Sequence, residues 1–203
     1  RCLDLLGIPH SNKIPKIFLK DEDVLFGESF LKDRIVHPNK MLVAVHPGSG
    51  SRQKCWSLDR YVELILWLNE EMDAQILIIS GPADTEIVEE LRVKVKDKFI
   101  LADKLPLPFL AAIIKRCKLF VGNDSGITHL AAAVETPAIA IFGSSDPSMW
   151  GPRGERVKIL FKKSACSPCS FDTRRNCITQ TCLGSVTVED VMSEIRYTYQ
   201  YSF

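Results

Sequence analysis

Val121-Gly122-Asn123-Asp124-Ser125-Gly126-Ile127-Thr128-His129-Leu130-Ala131-Ala132-Ala133 joins a short apolar run, residues 119–121, to a small-residue helix expected to begin near Gly126. A strand that enters a helix through so short a polar turn leaves the first backbone N–H groups without partners inside the helix. Those groups and the helix dipole favour a bound anion. Ser125 and His129 are four residues apart, so a helix places both on one face. A solitary histidine reads as structural; one that shares a face with a serine beneath an anion site reads as functional.

Outward from this turn the same rhythm repeats. Apolar runs at 42–45, 75–79, 99–101 and 138–142 join that at 119–121, each nearly continuous as buried parallel strands are. Amphipathic stretches at 58–72, 83–95, 108–117 and 127–134 fit between them. The expected fold is α/β, a Rossmann-like doubly wound parallel sheet, in which ligands bind outside the carboxyl ends of the strands. After Gly143 come a Gly/Pro-rich loop, a short strand at 157–160, a Cys-rich loop at 164–184 and a last helix at 187–197. Thr187 suits its N-cap, with Asp190 in place of the usual Glu or Gln. Residues 1–40 carry Pro9, Pro15 and Pro38 and no sustained period, which predicts a linker with one short strand at 17–19 and a helical turn at 28–34. Residues 41–203 are then the domain, and the chain reads as a piece of something longer.

The 203 residues are 46% hydrophobic and 25% charged, proportions that exclude collagen-like, disordered and coiled-coil classes. Lys and Arg number 26 against 25 Asp and Glu, so the basic surface of a dedicated nucleic-acid binder is missing and any anion must be met locally. No apolar run approaches the roughly 18 residues needed to span a bilayer, and residues 1–10 have no signal-peptide pattern. Seven cysteines, an odd number in a chain with a full complement of apolar residues, do not read as a disulfide scaffold. A reducing cytoplasm is the expected compartment.

Four loops follow the strands. The first, His46-Pro47-Gly48-Ser49-Gly50-Ser51-Arg52-Gln53-Lys54-Cys55-Trp56, combines glycines that allow close approach, serine hydroxyls, and the charge of Lys54 beside a helix start. It suits an oligophosphate but matches neither the three-glycine dinucleotide fingerprint nor the Walker loop, so a plain strand-to-helix turn stands as an equal reading. In the second, Ser80 to Glu86, the acidic residues either complement a helix dipole or meet ribose hydroxyls. The third is the turn quoted above. The fourth, Phe142 to Pro152, contains Trp150, either a pocket wall or a packing residue. Asp21-Glu22-Asp23 offers an Asp-x-Asp pair for metal, but it lies in the irregular segment and reads as a solvated turn.

Taken together, His46-Pro47-Gly48 through Lys54-x-Trp56, Ser80-Gly81-Pro82-Ala83-Asp84, Gly122-Asn123-Asp124-Ser125-Gly126-x-x-His129 and Phe142-Gly143-x-x-Asp146-Pro147-x-x-x-Gly151-Pro152 resemble, in order and spacing, the carboxy-terminal half of the ADP-heptose:lipopolysaccharide heptosyltransferases, glycosyltransferase family 9. The resemblance is strong over residues 40–160 and loose beyond. It implies one half of a GT-B inverting glycosyltransferase, the domain that binds the nucleotide-sugar donor, with ADP-heptose as that donor and no cofactor required. It implies that an amino-terminal domain binds the lipopolysaccharide or other glycolipid acceptor and supplies the general base, that this chain alone is inactive, and that the whole protein is cytoplasmic, with peripheral contact at the inner face of the inner membrane.

Carried over residue by residue, the resemblance makes Gly48, Ser49, Ser51 and Lys54 the first phosphate-binding loop. Lys54 and His129 would stabilise the leaving diphosphate. Asp84, or Glu86 in a shifted register, would meet donor hydroxyls, and Leu105 would line the adenine pocket. Asp124, Ser125, Gly126 and His129 would hold diphosphate and sugar; many relatives carry Thr at the position of Ser125.

Cys166, Cys169, Cys177 and Cys182 supply four thiols, enough for a tetrahedral zinc site, although only the first pair has the two-residue spacing. Reduced packed cysteines and disulfides are the other readings. Two further function classes stay open: a non-catalytic nucleotide-binding regulator on the same sheet, and a cysteine-based metal and interaction module.

Overall fold

The apolar runs become strands because each is buried on both faces. In the computed structural model, which describes Leu6 and residues 14–34, 36–96 and 98–201, β1 (Leu42–His46) is buried at every position. β2 (Gln75–Ser80), β3 (Ile100–Asp103), β4 (Leu119–Asn123), β5 (Ala138–Phe142) and β6 (Val157–Phe161) complete one sheet. All five strand pairings are parallel, in the order β3-β2-β1-β4-β5-β6. The expected doubly wound class is the observed one.

The period-2 alternation of the strands builds two cores. Val43, Val45, Ile76, Ile78, Val121 and Ile141 face α2 (Leu58–Glu71), α3 (Thr85–Val95) and α9 (Val188–Tyr201). Leu42, Ala44, Leu77, Ile79, Phe120 and Ala138 face the other way, toward α1 (Asp21–Asp33), α4 (Leu107–Lys115) and α5 (Gly126–Ala133). Each fully buried aliphatic chain contributes about 1.5–3 kcal/mol, so these layers dominate stability. Three short helices, α6 (Pro147–Trp150), α7 (Phe171–Arg175) and α8 (Thr181–Gly184), lie in the region after β5.

Two expectations need correction. Residues 17–19 form no strand, and the segment read as an irregular linker contains the 13-residue helix α1. Its apolar residues are not confined to one stripe, since Leu25 is exposed while Phe30 is buried, which hid the helical period. Tertiary packing holds it: Phe26 stacks on Phe109 with centroids 4.1 Å apart. Gly27 lets α1 approach α4, because a Cβ there would lie 3.2 Å from Ala112. The acidic triplet is therefore a helix start and not a solvated turn, with Asp23 accepting the Lys20 N–H at 3.0 Å. Capping of the last helix follows the sequence reading: the Thr187 N–H reaches Asp190 Oδ2 at 2.7 Å, and the Asp190 N–H reaches Thr187 Oγ1 at 3.2 Å. Among the described residues no helix is long and apolar enough to cross a membrane. Cys2 lies outside the described residues.

Candidate functional site

β1 and β4 are neighbours, with His46 in register with Gly122, yet α2 and α5, the helices that follow them, cover opposite faces. The chain therefore parts at the carboxyl ends of these two strands and leaves a crevice, the place where doubly wound sheets bind ligands. The first and third loops meet there.

Asn123 joins them. Its fully buried amide donates to the carbonyls of Pro47 (2.7 Å) and Gly48 (3.2 Å), and its oxygen accepts from the Trp56 N–H (2.9 Å) and the Tyr61 hydroxyl (3.0 Å). That uses the whole hydrogen-bonding capacity of an amide. The loop ends lock in one place.

Asp124 positions the charge. It is 6% exposed, and its carboxylate holds Lys54 Nζ at 2.8 Å and accepts from the Ser145 hydroxyl. Its backbone carbonyl accepts from Ser49 Oγ at 2.8 Å. Lys54 stays partly exposed, with its ammonium held by Asp124. Ser51 Oγ donates to Gln53 Oε1 at 2.8 Å, within its own loop.

A second polar row runs beneath. Nδ1 of His46 lies 3.2 Å from Ser125 Oγ, and Nε2 lies 3.4 Å from Asp84 Oδ2. Burial pushes the Asp84 carboxyl up, but contacts with His46 and the Gly81 N–H outweigh it and hold the group below its ordinary value. Gly48 is required from within the fold: a Cβ there would collide with the Asp84 carboxylate. Asp84 is thus packed against the first loop, and it lines, together with Glu86, Ser49, Ser51, Arg52 and Cys55, a cavity of about 520 Å³. Burial, then the charge of Asp84, pushes the Cys55 thiol up to about 11.

The helix start of α5 is open. Ser125 is extended (φ −152°, ψ 163°) and its side chain does not cap the helix. Gly126 is exposed, and a Cβ there would meet nothing within 4 Å. Ser125 precedes the helix and turns inward to His46 and Thr128, whereas His129 is exposed on the helix surface. The expected pairing of Ser125 with His129 on one face is therefore replaced by Ser125 with His46. Leu105 lies elsewhere, in a groove beside the edge strand β3 with Phe30, Arg34 and Asp103. Trp150 is 59% exposed.

Cys166, Cys169, Cys177 and Cys182 are unbridged and near one another: burial first, then the charges of the other three, pushes the Cys169 thiol up. Among the described residues no group of three or more His, Cys, Asp or Glu is placed to hold a metal ion, so the zinc reading has no support in this geometry. The segment instead meets the first loop through Gln180, whose Nε2 donates to Arg52 O at 3.1 Å, and it and the turn after it are tied to the first loop and α2. Arg60 donates to the carbonyls of Leu183 (3.1 Å), Gly184 (2.8 Å) and Val186 (2.6 Å), and Trp56 Nε1 donates to Val186 O at 2.8 Å. The Cys169 N–H reaches Ser144 O at 2.8 Å.

Sequence reasoning passed over His46, Asn123, Thr128 and Ser145. The first two carried a readable signal, as polar residues at the last positions of two buried strands that flank the sheet's reversal point.

A six-stranded parallel sheet with helices on both faces defines a Rossmann-like domain, the kind of half found in GT-B glycosyltransferases. Residues 4–179 match the family model described as glycosyltransferase family 9 (heptosyltransferase), and the chain belongs to that family. It is 35% identical over 119 residues to lipopolysaccharide heptosyltransferase 3 of Escherichia coli K12, a match covering 57% of this chain and 34% of that protein. The solved family 9 glycosyltransferase of Veillonella parvula superposes with a TM-score of 0.83 at 23% identity, covering 96% of this chain and 56% of the other. The E. coli heptosyltransferase WaaC with ADP superposes at 0.64 and 19% identity, covering 96% and 53%. The chain thus spans from about a third to about half the length of these relatives.

Proposed function

We propose that this chain is the donor-binding half of an inverting glycosyltransferase that moves a heptose from ADP-heptose to lipopolysaccharide core or a related cell-surface glycan. The observation that carries the reading is Lys54, held by Asp124 beside the uncapped start of α5. Breaking the bond from the anomeric carbon to the diphosphate builds negative charge on the leaving ADP. Donors already in place stabilise that charge without reorganising. Lys54 and the α5 N–H groups are such donors, Ser49, Ser51, Ser125 and Gly126 surround them, and His129 reaches the sugar side from the surface of α5. Asp124 acts by holding Lys54. Asp84, or Glu86 beside it, meets donor hydroxyls, since both line the cavity next to the first loop. Leu105 keeps its assignment to the adenine end.

In this reading residues 41–203, with α1 packed on them, are the donor unit, and the rest of 1–40 leads toward the acceptor half. Acceptor binding and the general base belong to the part of the relatives' length that this chain does not span, and the whole protein works at the inner face of a membrane without a metal or cofactor. A relative solved with ADP supports the adenine diphosphate as ligand.

Titration calorimetry of this chain against ADP, ADP-heptose, a UDP-sugar and NAD tests it. Selectivity for the two adenine diphosphates is expected, and Lys54→Ala should weaken ADP binding about tenfold, the worth of one charge-assisted contact. Equal binding of all four compounds, or of none, overturns the donor reading.

A further inference from the structure

We propose that the buried Asp84–His46 pair is a positioning device for Ser125, holding its hydroxyl at the mouth of α5 where an oligophosphate oxygen is received. The inference rests on the donor reading above, and it assigns a role to two residues whose side chains are largely buried.

His46 is 5% exposed and Asp84 6%, whereas Ser125 is only partly buried. Of the three, Ser125 is the most exposed. His46 is the last residue of β1, and its ring spans the reversal point of the sheet, from Asp84 at the start of α3 to Ser125 at the start of α5. The Asp84 carboxyl, kept ionised by the His46 contact and the Gly81 N–H, is an acceptor only. Nε2 of His46 must therefore carry a proton toward it, which fixes the ring's orientation and turns Nδ1 to Ser125. Because phosphate oxygens only accept, the device delivers a donor when Nδ1–H donates to Ser125 Oγ and leaves the Ser125 O–H for the ligand.

The hydroxyl has one competing neighbour. Thr128 Oγ1 lies 3.2 Å from Ser125 Oγ, and its own proton is donated to the Asn123 carbonyl. Thr128 can therefore offer Ser125 only a lone pair. Without Nδ1 on the other side, nothing among the described residues holds Ser125 Oγ in its present rotamer against that pull. A buried carboxylate and imidazole are expensive compared with apolar packing, and at this position what they deliver is the place of one partly exposed oxygen.

Two isosteric changes separate the ring's two contacts. His46→Asn puts an amide atom where Nδ1 stands and keeps a partner for Ser125; His46→Gln puts it where Nε2 stands and keeps only Asp84. With ADP as the probe in calorimetry of this chain, His46→Gln should weaken binding about tenfold and His46→Asn less than about threefold, the loss of a contact that orders a donor to a charged oxygen. The decisive measurement repeats both in a Ser125→Ala background. If His46 acts through Ser125, neither change alters ADP affinity further there.

A tenfold loss that persists without the Ser125 hydroxyl overturns the inference and makes the pair a brace for the Gly48 backbone. An unchanged ADP affinity in Ser125→Ala alone would instead defeat the reading of Ser125 as a donor contact, and the inference with it. Thermal unfolding of each variant keeps loss of fold apart from loss of positioning, and Ser125→Thr, which retains the hydroxyl, should preserve both affinity and the His46 dependence.

Discussion

The crevice between β1 and β4 and the Cys-rich segment at 164–184 are both loop regions at the same end of the sheet, yet they are held in opposite ways. In the crevice, side chains with several strong donors and acceptors cross from one loop to the other: Asn123 makes four contacts, Asp124 binds Lys54 and Ser145, and His46 links Asp84 to Ser125. In the Cys-rich segment the four thiols are weak donors and acceptors, and the bonds that hold it end on backbone carbonyls: Gln180 donates to Arg52 O, Ser167 to Gly143 O, and Arg60 to the carbonyls of Leu183 and Gly184. The crevice is held chiefly from side chain to side chain, the Cys-rich segment from side chain to backbone.

The sharpest way to break this contrast is at Asn123. Asn123→Ala strands the Trp56 N–H, the Tyr61 hydroxyl and two carbonyls, most of them buried, and should cost about 4 kcal/mol in urea unfolding. A loss below about 1 kcal/mol would mean that the loops are held by packing and not by the amide. Arg60→Ala removes three contacts to carbonyls that retain partial access to water, so about 2 kcal/mol is expected. The loss should be local, seen as faster amide hydrogen exchange over 181–186 with β1 and β4 protected; uniform deprotection would contradict the separation of the two regions.

A smaller effect is expected on the acid side. The Asp84 carboxyl titrates below its ordinary value in the folded chain, so on acidification the unfolded chain takes up its proton first. Its contribution to stability is complete above the unfolded value of about 3.9 and is lost as pH falls through the lower folded value. Asp84→Asn should flatten that limb of the stability curve, and an unchanged limb would show that the carboxyl is not bound to His46 and Gly81 in solution. The least disruptive test is chemical. With its thiol at about 11, Cys55 is on the order of 0.1% thiolate at pH 8 and should be alkylated slowly, while the exposed Cys166 reacts first. Mass mapping that finds Cys55 labelled as fast as Cys166 would place it outside the packed loop.

The parts legible in the sequence were those with a local cause. Strand runs buried on both faces, the small-residue turn before α5, and the Thr187 cap all announce themselves within a few residues. So does the family, because its motifs are contiguous. α1 was not legible, since its helix depends on Phe26 meeting Phe109 and on Gly27 fitting against Ala112, partners some 80 residues away in sequence. The roles of Asp84 and Asp124 were not legible for the same reason. A motif places a carboxylate near a ligand, but whether it faces the ligand or a neighbouring cation depends on what burial leaves around it.

The sequence by itself determined a doubly wound sheet, the loops that carry its chemistry, and a glycosyltransferase family, because strand periodicity and turn chemistry act over short distances. Only the tertiary structure decided which polar groups in those loops turn inward. Asp84, Asp124 and Asn123 are buried against His46, Lys54 and the loop backbones, while Lys54 and Ser125, though partnered, stay partly exposed and the start of α5 carries no side-chain cap. That division follows from desolvation: a polar group taken from water must find a partner inside the fold, and the partner it finds is set by which strands the sheet brings side by side.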